Sequence, residues 1–282
     1  MFINTLLFLY VLWYRKYPPI RAKNIKLIAV LYLSMLVWYL GVIGTNFNLK
    51  NYFDFNHSCV LFALWFRVLL GIFLFIYVHI FRLYIYIRIF KKKQRVTYRQ
   101  YLIAAGIFAA IVAAYGIPLT VLHNSLTVKF IPTLRTCAYG VVFTELSFAI
   151  VWVGWATILV ITYIARDINT SFKEYREMLL IVALSSISVS YQTIVHHIVR
   201  EYTVHRWSRV TSTYSEYLTN QSSLFILLWV PVYNCMFHRE EYRRKFFEKM
   251  EADGMTARYK MSLPSSSNAD TLVMSQQPTE VA

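Results

Sequence analysis

Residues 59–90 read CVLFALWFRVLLGIFLFIYVHIFRLYIYIRIF, an apolar run in which the formal charges are Arg67, Arg82 and Arg88. Roughly 20 apolar residues wound as a helix cross the ~30 Å hydrocarbon core of a bilayer, so this run is long enough to span it. A membrane β-barrel would instead show segments of about 10 residues that alternate in character between turns. The run does not alternate. A helix also keeps every backbone N–H and C=O satisfied within its own segment, which hydrocarbon requires. The stretch therefore predicts a transmembrane helix.

Working outward, further apolar runs lie at 27–44, 101–122, 139–165 and 178–199, with a shorter one at 222–237. All but the last are long enough to span. Residues 1–14 are apolar but lack the basic leader and small-residue cleavage site of a signal peptide. As a helix they would cover only about 20 Å, so a truncated start or a strongly shortened first span is expected. The composition fits: 57% of the chain is apolar, 17% aromatic and 15% charged, a balance that one water-soluble core could not hide. The expected fold class is all-α, an integral membrane seven-helix bundle over residues 1–238 with a shortened first helix. In 239–250, REEYRRKFFEKM, Tyr242 and Phe246 lie four apart beside Arg239, Arg243 and Lys249, the pattern of an amphipathic helix on an anionic membrane surface. Residues 251–282 turn to Ser, Asn, Gln and Pro and are expected to be a disordered cytoplasmic tail. Within it Ser262, Ser265, Ser266 and Ser267 form a phosphorylatable cluster, or simply a solubilising linker.

A net charge of +15 could suggest nucleic acid, but the charges fall between apolar runs, and no nucleic-acid partner is expected. With the N-terminus outside, most of the 29 Lys and Arg residues fall on the cytoplasmic side. Lys50, Lys129, Arg135, Arg200, Arg206 and Arg209 fall opposite. The positive-inside rule then orients the chain with its C-terminus in the cytoplasm, as a multi-pass protein of the plasma membrane. The run at 101–122 is rich in small residues, from Ala104 and Gly106 to Ala114, which would let a neighbouring helix approach closely. A homodimer is among the assemblies open to such a chain. Pro118 and Pro231 sit inside apolar runs, where each removes a backbone donor and is expected to kink its helix.

Three cysteines are too few for a disulfide scaffold or a four-cysteine zinc site. Cys59 opens the third span at its outer end and Cys137 lies in the loop before the fifth, so both face an oxidising compartment and are expected to pair. Cys235 near the inner end of the last span is read as a buried thiol, with palmitoylation as the alternative. Asn56 heads an outward glycosylation sequon; Asn220 heads another too close to the membrane, and Asn169 heads one on the inner side. Near the outer end of the sixth span, His197, Glu201 and His205 share a helical face beside His196 and could hold zinc, although a polar vestibule explains them as well. No cluster supplies metal-activated water, and the eight glycines form no phosphate-cradling loop. Neither an enzyme nor a cofactor is expected.

Three stretches resemble class C G-protein-coupled receptors. Residues 15–27, RKYPPIRAKNIKL, are similar to the basic first inner turn of those receptors. Residues 59–90, with Cys59, Trp65, Gly71 and the FRLY of 81–84, look like their third helix. Residues 229–241, WVPVYNCMFHREE, are similar to their proline-containing seventh helix and its exit. The first turn is also similar to that of fungal and protist seven-helix receptors carrying a regulator-of-G-protein-signalling domain, for which the tail here is too short. The resemblance covers the membrane domain and includes no part of an extracellular ligand-binding clamshell.

It implies a receptor that transduces an unknown extracellular ligand to a heterotrimeric G protein. The inner surface would use Arg21, Lys23, Arg82 and Arg88, together with Lys92, Arg95, Lys173 and Arg176; topology setting and lipid contact are the plainer roles of such charges. A charge inside a membrane needs a partner or water. Arg67 and Glu145, eight residues past Cys59 and Cys137 respectively, are expected to face one another at the floor of a ligand pocket, with Gln192 as a third member. The alternative class is a multi-pass transporter or channel, which would show internal repeats or several ionisable residues along a path. No repeat is evident, and Glu145 is the only acidic residue within the apolar runs.

Overall fold

The computed structural model describes residues 1–46, 59–91, 94, 96–122, 126–131, 136–166, 174–199 and 204–252. The expected tail beyond 252, with its serine cluster, lies outside them. The chain divides into two compact units, Met1–Asn169 with Lys173–Val232, and Thr170–Phe172 with Tyr233–Ala282.

The helices of the first unit mostly follow the apolar runs, and the last of them continues past Val232. They are α1 (Phe2–Trp13), α2 (Pro18–Ala22), α3 (Ile25–Asn46), α4 (Val60–Phe73), α5 (Leu74–Phe90), α6 (Tyr98–Val121), α7 (Val141–Ile164), α8 (Glu174–Ile198) and α9 (Arg206–Phe237). Among the described residues five helical segments are long and apolar enough to cross a membrane: α3, the continuous α4–α5 rod, α6, α7 and α8. At 12 residues α1 is too short for that test. Although α9 runs for 32 residues, its first half is polar.

Local chemistry sets several boundaries. Pro18 starts α2, where its missing N–H costs nothing. Asn24 takes a left-handed φ of 57° between α2 and α3, a conformation its short polar side chain tolerates. Thr97 and Gln100 form a reciprocal capping box that opens α6.

Two features depart from the sequence reading. First, α4 is not an ordinary α-helix: it is a π-helix, the wider winding with i→i+5 hydrogen bonds that is usually confined to a single turn. That winding turns each side chain away from the phase that a 3.6-residue period assigns. Second, a two-stranded antiparallel hairpin precedes α7, β1 (Val128–Ile131) and β2 (Thr136–Tyr139), with Phe130 opposite Cys137 and Val128 opposite Tyr139. The Cys59–Cys137 disulfide, Cα–Cα 5.8 Å, ties β2 to the start of α4. The Thr136 hydroxyl donates to the Thr45 carbonyl at 3.0 Å and ties it to the end of α3.

Small residues do bring helices together, but not through the expected stripe of α6, where Gly116, beyond that stripe, is the position that meets α4 at Leu69. Gly106 has open space where a Cβ would be, and of the expected stripe Ala104 alone is buried. The close approach is between α3 and α4 instead. A Cβ on Gly41 would stand 2.5 Å from the Arg67 backbone nitrogen, and one on Gly71 would stand 2.7 Å from the Trp38 Cβ. These two glycines set Arg67 and Trp38 side by side.

In the second unit, α10 (Arg239–Ala252) carries exposed ion pairs one turn apart, Arg243–Glu240 at 2.6 Å, Lys245–Glu241 at 2.5 Å and Arg244–Glu248 at 3.5 Å. Its Phe246 and Phe247 are buried.

Candidate functional site

Within the first unit a cavity of about 130 Å³ opens among α3, the α4–α5 rod, α7, α8, α9 and the end of β2. Its walls are largely aromatic and aliphatic, including Phe75, Phe143, Phe148 and Trp155. One region is charged. Arg67 on α4 forms a salt bridge to Glu216 on α9, with the two side chains only 12% and 9% exposed. The contact is two-pronged, because Arg67 Nη2 donates to Glu216 Oε1 while Nε donates to Oε2 at 3.3 Å. Trp38 Nε1 donates to Oε2 at 2.9 Å. On its far side Arg67 Nη1 donates to the Tyr139 hydroxyl at 2.5 Å, with the guanidinium 5.5 Å from that ring's centre. Burying either charge alone would be costly; paired and surrounded by further donors and acceptors, both are retained.

This arrangement corrects the expected Arg67–Glu145 pair. Arg67 and Gln192 do line the cavity. Glu145 does not: it is 53% exposed on α7 and meets His197 Nε2 of α8 at 3.1 Å. The expectation placed Arg67 by ordinary helical depth, which the π winding of α4 does not obey, and it took the last helix to begin near residue 222. In fact α9 begins at Arg206 and brings Glu216 inward. Gln192 donates to the Ser212 carbonyl at 2.9 Å, so it belongs to the α8–α9 contact rather than to a triad with Glu145.

A signal for Glu216 was present. Ser208, Ser212, Glu216, Asn220 and Ser223 recur every three or four residues and are all buried, a polar stripe along one face of α9. Trp38, Tyr139, Thr144 and Ser185 carried no comparable mark, since each looks like ordinary lining in an apolar run or a loop.

The basic residues expected on the inner surface divide. Arg21 and Arg176 are exposed. Lys23 is buried and forms an ion pair with Glu177 of α8, their side chains 4% and 9% exposed, which corrects its expected place on an open surface. Its position between α2 and α3 turns it toward the first turn of α8, where a carboxylate also suits the helix dipole. Arg82 is buried as well, and Arg88 donates to the Tyr84 hydroxyl at 2.7 Å. Lys92, Arg95, Lys173 and the sequon residue Asn56 lie outside the described residues. Asn220 is buried within α9 and unsuited to glycosylation. The Cys59–Cys137 bridge is formed, and Cys235 is a free, buried thiol. Among the described residues no three His, Cys, Asp or Glu side chains gather as metal ligands, and Glu201 falls outside them. His196 lines the cavity instead.

No protein-family model matches the chain, and no curated protein matches it in sequence.

Proposed function

We propose that this chain is a seven-helix membrane receptor that passes a ligand signal to a heterotrimeric G protein. In this reading α1, α3, the α4–α5 rod, α6, α7, α8 and α9 form one transmembrane bundle in the plasma membrane, with the N-terminus outside and the C-terminus cytoplasmic. The observation that carries it is the cavity. It encloses a buried ion pair between α4 and α9 and is framed by a hairpin disulfide-bonded to α4, so an occupant touches several helices at once. A ligand that binds two helix arrangements unequally shifts their populations by that difference. The class C-like stretches at the first turn, the third helix and the last helix point the same way. Exposed Arg21 and Arg176 are the basic side chains presented for G-protein contact.

Cells expressing the chain with a G protein should show nucleotide exchange above mock-transfected cells, and R21E/R176E should lower it with surface expression unchanged. Absence of exchange, or a conductance or solute uptake that disappears on mutating Glu216, would replace the receptor with a transporter or channel.

A further inference from the structure

We infer that His197 of α8 is a proton-binding site beside the cavity: as an imidazolium it ties α8 to Glu145 of α7, and on losing that proton it releases this end of the two helices. The inference goes beyond the receptor reading and does not depend on it.

Donor and acceptor chemistry carries the argument. His197 Nδ1 lies 2.8 Å from the Thr193 carbonyl oxygen, one turn back on α8, and Nε2 lies 3.1 Å from Glu145 Oε1. A carbonyl oxygen and an ionised carboxylate only accept, whereas a neutral imidazole has a single N–H to give. With that proton on Nδ1, the ring turns the Nε2 lone pair toward the carboxylate. With it on Nε2, the Nδ1 lone pair meets the carbonyl instead. The imidazolium, with an N–H on each nitrogen, is the form that satisfies both neighbours.

A proton has free access to this ring, whose side chain is 48% exposed and that of its partner 53%, in contrast to the buried His79 of α5. An ordinary imidazole changes charge at about pH 6.5, within the range a cell surface meets. The titratable and charged groups around His197 are Glu145 and the neighbouring His196, which in turn feels Arg67 of α4; among the described residues no charge on α9 acts on His197. Among the same residues no third His, Cys, Asp or Glu completes a metal site here, so the proton is the ligand the pair fits.

The tie lies against the cavity wall. Phe148, one turn on from Glu145, lines the cavity with His196, and its ring centre stands 5.6 Å from that of His196 and 6.3 Å from that of His197. Parting α7 from α8 at this point moves that wall. Because both partners stand in water, the tie shifts the balance between joined and parted helices by no more than about fivefold. The proton therefore modulates the cavity and does not close it.

Spin labels on the purified full chain test this, in nanodiscs of phosphatidylcholine with EDTA present, so that neither anionic lipid nor a metal ion titrates. Labels go on Val142→Cys and Ile194→Cys, both exposed and each one turn from a member of the pair, with the free Cys235 replaced by Ala. The spread of label-to-label distances should be narrow at about pH 5.5 and wider at about pH 8, on either side of the imidazole range. Glu145→Gln should abolish the response to pH, because an amide offers an N–H to the neutral ring as readily as an oxygen to the charged one. His197→Ala should abolish it too and leave the spread wide at both pH values. Both substituted side chains are half exposed, so each variant is expected to fold. The inference is overturned if the spread does not change with pH, if it is wider in acid, or if the response survives in either variant. None of these readings uses a G protein, so they stand or fall apart from nucleotide exchange.

Discussion

The Arg67–Glu216 and Lys23–Glu177 ion pairs are about equally buried, yet they are built differently. At the cavity a planar guanidinium meets the carboxylate with two donors, an indole N–H adds a third, and a phenol receives the remaining guanidinium edge. At the start of α8 an ammonium, a compact point charge on a flexible stem, meets Glu177 through its one nitrogen. Arginine in such a fork is held in orientation, while a lysine ammonium, a rotatable point charge, accepts its partner from several directions. Burial alone therefore says little about how firmly a pair fixes its helices. The number and geometry of donors say more, and that difference can be measured.

The largest effect is expected at the cavity. Glu216→Ala leaves Arg67 buried without its counter-charge and should destabilise the purified protein by about 3–5 kcal/mol, read as a lowered unfolding midpoint in detergent. Arg67→Met combined with Glu216→Leu should regain most of that loss, because two apolar side chains of similar size leave no charge stranded. Glu145→Ala in the same assay should change stability by less than about 0.5 kcal/mol, since its side chain is half exposed. Equal losses at Glu145 and Glu216 would mean that Arg67 does not choose between them as the coordinates indicate.

A smaller effect is expected at the other pair. Lys23→Met removes the ammonium from Glu177, but that carboxylate sits in the first turn of α8, where backbone N–H groups and the helix dipole favour negative charge. A loss on the order of 2 kcal/mol should follow, less than for Glu216→Ala. A double-mutant cycle on each pair should return the larger coupling for Arg67–Glu216. The reverse order would show that depth, and not the number of donors, governs these pairs.

The same contrast explains what could be read without coordinates. Five of the helices were legible because a continuous apolar run of spanning length has few other uses. The Cys59–Cys137 pairing was legible from topology. Arg67 was legible as a charge lining the cavity because a charge inside such a run stands out. Its partner was not, because hydropathy averages over a window and the first half of α9 is polar on average, while burial depends on which face each residue occupies. The buried stripe from Ser208 to Ser223 is periodic, and a test for polar periodicity would have found Glu216. The π winding of α4 and the β1–β2 hairpin had no such mark: each arises from tertiary constraint, α4 lying against α3 at Gly41 and Gly71 and β2 tied down by its disulfide.

The smallest effect belongs to the exposed pairs of α10, which lie outside the spans and complete the series from buried fork to open surface. Lys245 donates to Glu241 one helical turn away at 2.5 Å, and that hydrogen bond, reinforced by the lysine charge, holds the Glu241 carboxyl below its ordinary range. A carboxyl lowered in the folded state stabilises the helix at pH values above its unfolded pKa, and the contribution is lost as pH falls through the lowered folded value. Because both side chains stand in water, salt should screen the effect and its size should be far below that of either buried pair. Carbon-detected NMR of the Glu241 carboxyl is expected to give a titration midpoint lower than that of the same carboxyl in K245Q, with the gap narrowing from low to high salt. A midpoint unchanged by K245Q would show that the pair does not persist in solution, and it would leave the two buried pairs as the only ones in this comparison that act on the fold.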